Sequence, residues 1–382
     1  MTGFTFQTVK TTLVAPGGAL QLVDLLVERG LSSPLFVTDA MLIQLGVVTP
    51  VIEALRNRFG SLAVFDGIEP DPSESVVEAC LSVYEQAGCD CVVAVGGGSS
   101  MDVAKVVSVL ARGEQSLPDI YGVGQITSTR MPLFLVPTTA GTGSEVTPVA
   151  IITTGATTKA GVSSPVLLPD VAVLDAELTT GLPPSITAMT GIDAMVHAIE
   201  AYTSKIKKNP ISDALALRAL GLLGGNIRRV LSNPDDLAAR EAMLLGSMFA
   251  GQAFANAPVG AVHALAYPVG GHYHIPHGLS NSLMLPAVLG FNAEACPELY
   301  AELASALPDA QASAAGLIDW FKELIEESGL PATLKAADIP EADLPMLASD
   351  AMYQQRLLVN NPREVDEATA LMLYQEAWEG WS

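Results

Sequence analysis

Four of the five histidines in this 382-residue chain lie in one stretch, HALAYPVGGHYHIPHG, which runs from His263 to Gly278. The fifth, His197, lies upstream in GIDAMVHAIEAY, four residues after Asp193. On a helix, that spacing places a carboxylate and an imidazole on the same face, one turn apart. Carboxylates and imidazoles are common ligands of divalent metals. The residue types and the spacing therefore predict a metal site.

The two outer histidines of the stretch are the other ligand candidates. His263 precedes a predicted break in the helical pattern at Pro268, and His277 begins the segment HGLSNSLMLPAVL. Two histidines that flank a loop can converge on Asp193 and His197. One carboxylate and three neutral imidazoles suit Fe²⁺ or Zn²⁺ and are too rich in nitrogen for Mg²⁺ or Ca²⁺. Such a site, with room for a substrate oxygen, would be catalytic, with the ion as a Lewis acid.

Parts of this pattern also have ordinary structural interpretations. Asp193 lies three residues after Thr190, which could cap a helix, and a lone histidine is usually structural. His272 and His274 alternate with Tyr273, so at most one face of that segment could join the site. We interpret these two histidines as residues that support the ligands or line the substrate pocket.

A second candidate site lies in CVVAVGGGSSMDVAK, where an apolar strand pattern runs into three glycines and then a helix. Glycine lets the backbone approach a phosphate closely, and the N-terminus of a helix attracts the negative charge. The GxGxxG fingerprint is absent because Met101 occupies its last position. The alternative is a tight turn in which Ser99 caps the helix and Asp102 completes a capping-box-like pair. The order strand, turn, helix favours phosphate binding.

Two further segments support a nucleotide site. The segment VPTTAGTGSEVT follows another strand pattern and carries five hydroxyl residues that could contact a nucleotide: Thr138, Thr139, Thr142, Ser144 and Thr147. The alternative is an ordinary Thr/Gly loop. Asp39 ends the strand pattern LFVTD, where a carboxylate can accept from a ribose 2′-hydroxyl and would repel a 2′-phosphate. A simple helix cap at Asp39 is an equally good interpretation.

The elements that must position these groups change in character along the chain. Strand patterns such as SPLFVTDA and MPLFLVPTT alternate with amphipathic helical patterns up to residue 184, which predicts an α/β domain with a parallel, doubly wound sheet. Ligands of such sheets lie beyond the carboxyl ends of the strands. From residue 185, long Ala/Leu-rich helical segments predict an all-α domain. The predicted boundary lies at Pro183 and Pro184.

Composition limits the classes of function. Apolar residues make up 49% of the chain, which is ample for a buried core. There are 41 acidic and 19 basic residues, a formal net charge of −22, which makes nucleic acid and anionic membranes poor partners. Four cysteines form no CxxC pair, the N-terminus shows no secretory signal, and no apolar run reaches the roughly 18 residues of a membrane span. We therefore expect a soluble cytoplasmic protein.

The motifs GGGSSMDVAK, PTTAGTGSE, GIDAMVHAIEAY and HALAYPVGGHYHIPHGLSNSLMLP, in this order and spacing, resemble those of the iron-containing (group III) alcohol dehydrogenases, a family that includes lactaldehyde reductase and 1,3-propanediol dehydrogenase. The resemblance covers essentially the whole chain. It implies a dehydroquinate synthase-like fold, with a Rossmann-like dinucleotide-binding domain at 1–184 and a helical metal-binding and substrate domain at 185–382.

The same resemblance implies an activity. It is NAD(H)-dependent hydride transfer on small primary alcohols, diols or aldehydes, with the substrate oxygen on Fe²⁺ or Zn²⁺, in a homodimer or larger homo-oligomer. The enzyme alternatives are a glycerol-dehydrogenase-like or maleylacetate-type reductase of the same fold. A lyase acting on a polyanionic sugar phosphate is disfavoured because residues 250–300 contain neither Lys nor Arg. A metal-binding scaffold without turnover would not need the glycine turn.

Residue roles follow from the motif match. The implied metal ligands are Asp193, His197, His263 and His277. The implied dinucleotide contacts are Asp39, Gly97, Gly98, Ser99, Thr138, Thr139, Thr142 and Lys159, together with the stretch from Leu178 to Leu182. Asp102 and Thr147 join this set from their places in the two motifs. The residues expected to line the substrate pocket are Phe254, Tyr267 and His274.

Two positions depart from the family pattern. Tyr267 stands where many members have a histidine, and a phenol is a poor base near neutral pH. Asp71, in EPDPS, stands where many members have Asn, and would add negative charge near the nicotinamide half of the cofactor. We nevertheless count Tyr267 with His263 and His277 as the catalytic residues, and Asp71 with the cofactor contacts.

Overall fold

The computed structural model describes residues 3–155 and 158–381. These residues form two compact units. One is Gln7–Gly181, and the other contains Leu182 and the residues after it together with the segment before Gln7. No helix in this described part of the chain is both long and apolar enough to cross a membrane.

The Gln7–Gly181 unit is built around a parallel sheet. Its strands are β1 Thr11–Val14, β2 Pro34–Val37, β3 Ala63–Phe65, β4 Cys91–Gly96, β5 Gly122–Val123, β6 Leu133–Pro137, β7 Val149–Thr154, β8 Thr158–Ser163 and β9 Val171–Leu174. Its helices are α1 Leu22–Glu28, α2 Ala40–Gln44, α3 Thr49–Phe59, α4 Glu74–Ala87, α5 Gly98–Leu110 and α6 Leu117–Ile120. Six strands pair in parallel in the order β1-β9-β6-β4-β2-β3. The other three form a small sheet, in which β7 and β8 are an antiparallel hairpin.

The central strands are apolar on both sides, as parallel strands covered by helices must be. In β4, Val92 and Ala94 pack into one core cluster, which also contains residues of α4 and α5. Cys91, Val93 and Val95 point the other way, into a cluster with residues of α1 and α3. The predicted doubly wound α/β architecture is confirmed for this unit.

The second unit is helical. Its helices are α7 Pro184–Thr203, α8 Pro210–Ser232, α9 Leu237–Asn256, α10 Ala261–Tyr273, α11 His277–Ala293, α12 Pro297–Ser305, α13 Ala314–Ser328, α14 Leu344–Ala351, α15 Gln355–Leu358 and α16 Glu367–Glu379. Helices α7, α8 and α9 pack closely at Gly191, where a Cβ would lie 2.6 Å from Ile227 Cδ1 and 2.9 Å from Met243 Cε. The all-α prediction is confirmed for the described part of this unit.

Three local interpretations of the sequence are contradicted. Thr190 does not cap a helix, because it lies inside α7 and its hydroxyl donates to the carbonyl of Ile186. Ser99 is not an N-cap either, because α5 begins at Gly98 and Ser99 lies in its first turn. Pro268 does not break the helix, since α10 continues to Tyr273. A proline inside a helix costs about 3 kcal/mol or more, and the burial of this segment must outweigh that cost.

Candidate metal centre and nucleotide site

Helix α7 carries three polar side chains along one face. Asp193, His197 and Glu200 follow one another at intervals of four and three residues, which stacks them one turn apart. All three are at least nine-tenths buried. Buried ionisable groups need partners, so this face must meet other polar groups inside the helical unit.

The partners come from the helices on either side of the short segment 274–276. His263 is the third residue of α10, and His277 is the first residue of α11. Gly278 allows α11 to lie against α7, because a Cβ there would be 2.4 Å from the carbonyl oxygen of Met189 and 3.4 Å from Asp193 Cβ. Glycine at this position therefore brings the imidazole of His277 to the carboxylate of Asp193.

The four predicted ligands lie together, with one donor atom from each within 4.8 Å of all the others. The Nε2 atoms of His197, His263 and His277 are 4.0, 3.8 and 3.7 Å from Asp193 Oδ1, and those of His197 and His263 are 3.0 Å apart. Metal–nitrogen bonds of about 2.0–2.1 Å in a tetrahedron separate ligand atoms by roughly 3.3 Å. The donor types and their spacing therefore fit a transition-metal ion.

Two polar residues that the sequence did not single out surround these donors. Glu200 Oε2 is 2.6 Å from His263 Nδ1. Asn281, one turn after His277 on α11, donates from Nδ2 to Asp193 Oδ1 at 2.6 Å. Helical spacing could have identified both residues from the sequence, because Glu200 is seven residues after Asp193 and Asn281 is four residues after His277, which places each on the same helix face as a predicted ligand.

Electrostatics couple the members of this cluster. Burial alone would raise the pKa of Asp193, but His197, His277 and His263 outweigh it and hold that pKa below its usual range. Burial alone would lower the pKa of His263, but the contacts with Glu200 and Asp193 raise it. An imidazole must be neutral to bind a metal, so metal binding here releases protons.

The residues predicted to line a substrate pocket are placed differently from one another. The Phe254 ring stacks on His197 with ring centroids 4.3 Å apart, and the Tyr267 ring lies 5.7 Å from that of His277. His274 is exposed and follows the last residue of α10 in a left-handed conformation, with φ 54°. His272 Nε2 is 2.5 Å from Asp350 Oδ2 on α14. Phe254 and Tyr267 therefore lie beside the metal cluster.

In the other unit, the glycine turn and the Thr-rich loop follow adjacent strands and touch each other. The N–H of Thr138 donates to the carbonyl of Gly96 at 3.0 Å. A Cβ on Gly98 would lie 2.9 Å from Thr142 Cγ2, so this position requires glycine. The N-terminus of α5 has no side-chain cap among the described residues. A 13-residue helix with an uncapped, glycine-lined N-terminus suits a pyrophosphate.

Asp102 and Thr147 are turned toward a buried lysine. Asp102 accepts from the hydroxyl of Ser144 at 2.7 Å and from the N–H of Ile151 at 2.9 Å. Lys105, whose side chain is fully buried, donates to Ser144 Oγ at 2.7 Å and to Thr147 Oγ1 at 3.1 Å. Sequence reasoning missed Lys105, although it lies three residues after Asp102. The network ties α5 to the loop that carries the predicted nucleotide contacts.

Asp39 and Asp71 have partners inside the protein. Asp39 Oδ1 accepts from the N–H of Leu42 and caps α2, so the cap interpretation holds. A carboxylate has several lone pairs, so Asp39 can accept a further hydrogen bond. Asp71 has a left-handed φ of 53°, and its Oδ1 is 2.6 Å from Lys159 Nζ on β8. In the stretch from Leu178 to Leu182, Leu178 is buried in a short 3₁₀ segment and Leu182 is partly buried.

Two family models together match most of the chain. The family model described as iron-containing alcohol dehydrogenase matches residues 10–176, and the model of the C-terminal part of the Fe-containing alcohol dehydrogenase family matches residues 187–378. Long-chain-alcohol dehydrogenase 1 of Geobacillus thermodenitrificans is 39% identical over 374 residues, covering 95% of this chain and 94% of that protein.

Two solved structures are similar throughout. A crystal structure of 1,3-propanediol oxidoreductase has a TM-score of 0.94 at 34% identity and covers 98% of this chain and 100% of its own. The sulfoacetaldehyde reductase of Bifidobacterium kashiwanohense, solved in complex with NAD⁺, has a TM-score of 0.89 at 30% identity, with 98% of both chains covered.

Proposed function

The chain belongs to the iron-containing alcohol dehydrogenases, oxidoreductases that use NAD(H) and iron, and from this premise we propose that it interconverts small, uncharged primary alcohols or diols and their aldehydes. The observation that supports the proposal most directly is the buried cluster of one carboxylate and three imidazoles. When bound, the ion supplies a Lewis acid for the substrate oxygen, and the nicotinamide accepts or donates the hydride.

The metal is assigned to Asp193, His197, His263 and His277. Three imidazole nitrogens and one carboxylate oxygen favour Fe²⁺ or Zn²⁺ over Mg²⁺. Phe254 and Tyr267 flank this cluster and bind the substrate, with the aromatic faces excluding water and the phenol of Tyr267 orienting the substrate hydroxyl. His274 is the third residue assigned to the substrate pocket, and His263, Tyr267 and His277 remain the catalytic set.

The dinucleotide is assigned to the 1–184 domain, and the metal and substrate to the 185–382 domain. The backbone N–H groups of Gly98 and Ser99, after Gly97, bind the pyrophosphate. Further contacts come from the hydroxyls of Thr138, Thr139 and Thr142, from Asp39 at the ribose, and from Lys159, Asp71, Leu178 and Leu182. Asp102 and Thr147 act indirectly, because both are bound to the Lys105 network.

The lack of Lys and Arg in one segment of the helical domain supports an uncharged substrate. Residues 250–300, which supply two of the metal ligands and the proposed substrate contacts, contain neither Lys nor Arg. A carboxylate or sulfonate substrate is usually held by a charged hydrogen-bond donor such as Arg. An alcohol, diol or aldehyde needs no such donor.

We place the protein in the cytoplasm as a homodimer or larger homo-oligomer. Its formal charge of −22 disfavours binding to nucleic acid and anionic membranes. The four cysteines, which are unpaired in the described chain, suit a reducing compartment.

The test is a substrate panel with metal control. NADH formation is assayed with the metal-stripped enzyme and again after adding Fe²⁺ or Zn²⁺. The substrates are alcohols and diols of two to six carbons, hydroxyacids, and the hydroxysulfonate that reduction of sulfoacetaldehyde yields. We expect metal-dependent turnover of uncharged alcohols and little with anions. His277→Ala should lose both metal and activity, whereas the matched control His272→Ala should keep its metal. Full activity of metal-stripped His277→Ala would exclude the proposed mechanism.

A further inference from the structure

We infer that Glu200 is a positioning residue for the metal centre, which holds the His263 imidazole in the tautomer that presents Nε2 to the ion and anchors the start of α10. The inference rests on the proposed metal ligands. It adds to them a residue that is not itself a proposed metal ligand and acts through His263.

The contact with Glu200 sets the tautomer of His263. A neutral imidazole has one N–H and one lone pair, and an ionised carboxylate can only accept. Glu200 Oε2 lies 2.6 Å from His263 Nδ1, so the hydrogen is on Nδ1. The lone pair is then on Nε2, which is the atom 3.0 Å from His197 Nε2 and 3.8 Å from Asp193 Oδ1. Glu200 therefore aims the coordinating atom at the other ligands.

Glu200 also binds the backbone at the start of α10. The first N–H groups of a helix lack partners within it, and the N-cap residue Gly260 has no side chain to offer. Glu200 Oε1 accepts from the N–H of Val262 at 2.7 Å, while Asn361 Oδ1 accepts from that of Ala261 at 3.3 Å. The two oxygens of Glu200 thus bind consecutive residues, Val262 and His263. One side chain fixes both the position of the helix and the orientation of the ring.

Burial makes this arrangement selective for a carboxylate. Glu200 and His263 are 6% and 2% exposed, so water cannot replace a lost partner. Glutamine has the same shape but offers one acceptor and one donor. It cannot accept from both Val262 and His263. If its NH₂ group faces Nδ1, the imidazole must place its hydrogen on Nε2, and the ligating lone pair is lost.

The test measures metal affinity in the full-length protein. Zn²⁺ binding to stripped wild type and Glu200→Gln is measured by competition with a chromophoric chelator, and Co²⁺ is added to compare the d–d spectra. We expect the affinity of Glu200→Gln to fall by about 10–100-fold, the usual effect of losing such a partner. Glu200→Asp keeps two acceptors on a shorter stem, and its affinity should lie between those of wild type and Glu200→Gln.

A matched control is a second glutamate, Glu302, which contacts α7 close to Glu200. Glu302 on α12 accepts from the hydroxyl of Tyr202, two residues after Glu200, and contacts none of the four ligands in the described structure. Glu302→Gln should bind Zn²⁺ as wild type does. If Glu200→Gln matches Glu302→Gln in affinity and spectrum, Glu200 has no positioning role.

The tautomer can be read without any substitution, which keeps the inference testable if Glu200→Gln fails to fold. In ¹⁵N-histidine spectra of the Zn²⁺-loaded wild type, His263 should carry its hydrogen on Nδ1 and coordinate through Nε2. Coordination through Nδ1 would overturn the inference. If wild type binds no metal at all, the proposed function fails instead, and the two failures are therefore distinguishable.

Discussion

Replacing Glu145 by Gln should make the sheet unit more stable at alkaline pH and remove part of its pH dependence. Glu145 lies in the Thr-rich loop after β6 and is 2% exposed. Burial raises the pKa of its carboxyl from the ordinary 4.5 to about 7, and a backbone hydrogen bond and the charge of nearby Lys105 offset only part of that effect. Between pH 4.5 and about 7, the folded protein therefore retains a proton on Glu145 that the unfolded chain releases.

The magnitude and sign follow from proton linkage. A rise from 4.5 to about 7 corresponds to about 3 kcal/mol, at about 1.4 kcal/mol per pKa unit. Since the pKa is raised on folding, this stabilisation is fully present below pH 4.5 and is lost as the pH rises to about 7. Glutamine has no proton to lose. The free energy of unfolding of Glu145→Gln, relative to wild type, should therefore increase by about 3 kcal/mol between pH 4.5 and pH 8.

The assay must report on the correct unit. All three tryptophans lie at 320, 378 and 381, so tryptophan fluorescence reports on the helical unit. Hydrogen exchange of peptides from β4 and β6, followed by mass spectrometry, gives the opening free energy of the sheet unit. Glu78→Gln, on the exposed face of α4, is the matched control and should stay within about 0.5 kcal/mol of wild type. A stability difference between Glu145→Gln and wild type that is equal at both pH values would refute the reasoning.

Three further predictions concern turnover and cofactor binding. Asp39→Gly should narrow the preference for NAD over NADP, measured as the ratio of kcat/KM values. Equal use of both cofactors by wild type would show that Asp39 does not contact the ribose. Asp71→Asn should free Lys159 from its ion pair for the cofactor and tighten NADH binding up to about fivefold, the effect of an exposed ion pair. Asn tolerates the φ of 53°. Unchanged or weaker NADH binding in a fluorescence titration would show that Asp71 does not hold Lys159 away from the cofactor. Tyr267→Phe should raise KM with a modest change in kcat, whereas a loss of about a hundredfold or more in kcat would indicate proton relay instead.

Much of the architecture could be predicted because it depends on local periodicity. The run CVVAVG in β4 is apolar at every position, as a strand covered on both faces must be. The spacing of Asp193 and His197 identified one face of α7 because helical geometry is the same wherever a helix forms. The clustering of histidines predicted the convergence of His263 and His277 as a hypothesis. The turn alone does not bring them together, because His263 lies near the start of α10, so the packing of α10 against α11 sets the 5.3 Å between their rings.

Other features depend on contacts between residues distant in sequence. Whether α10 breaks at Pro268 depends on what the helix packs against, because burial can outweigh the lost hydrogen bond. The hairpin of β7 and β8 was not predicted, since short strands with mixed polarity have no clear periodicity. The spacing of Asp39 was compatible with two roles, and only the position of the Leu42 N–H showed that it caps α2.

By itself, the sequence determined the helix faces, the apolar strands and the types of ligand, because these follow from the repeat of the backbone and the chemistry of the side chains. The tertiary structure alone decided which buried polar groups meet. Glu200 is 63 residues from His263, and Lys105 is 39 residues from Ser144. No local pattern encodes such pairs, yet a buried polar group must find a partner to offset the loss of water. Folding selects the partner because the packing of helices and strands sets which side chains come within 3 Å of one another.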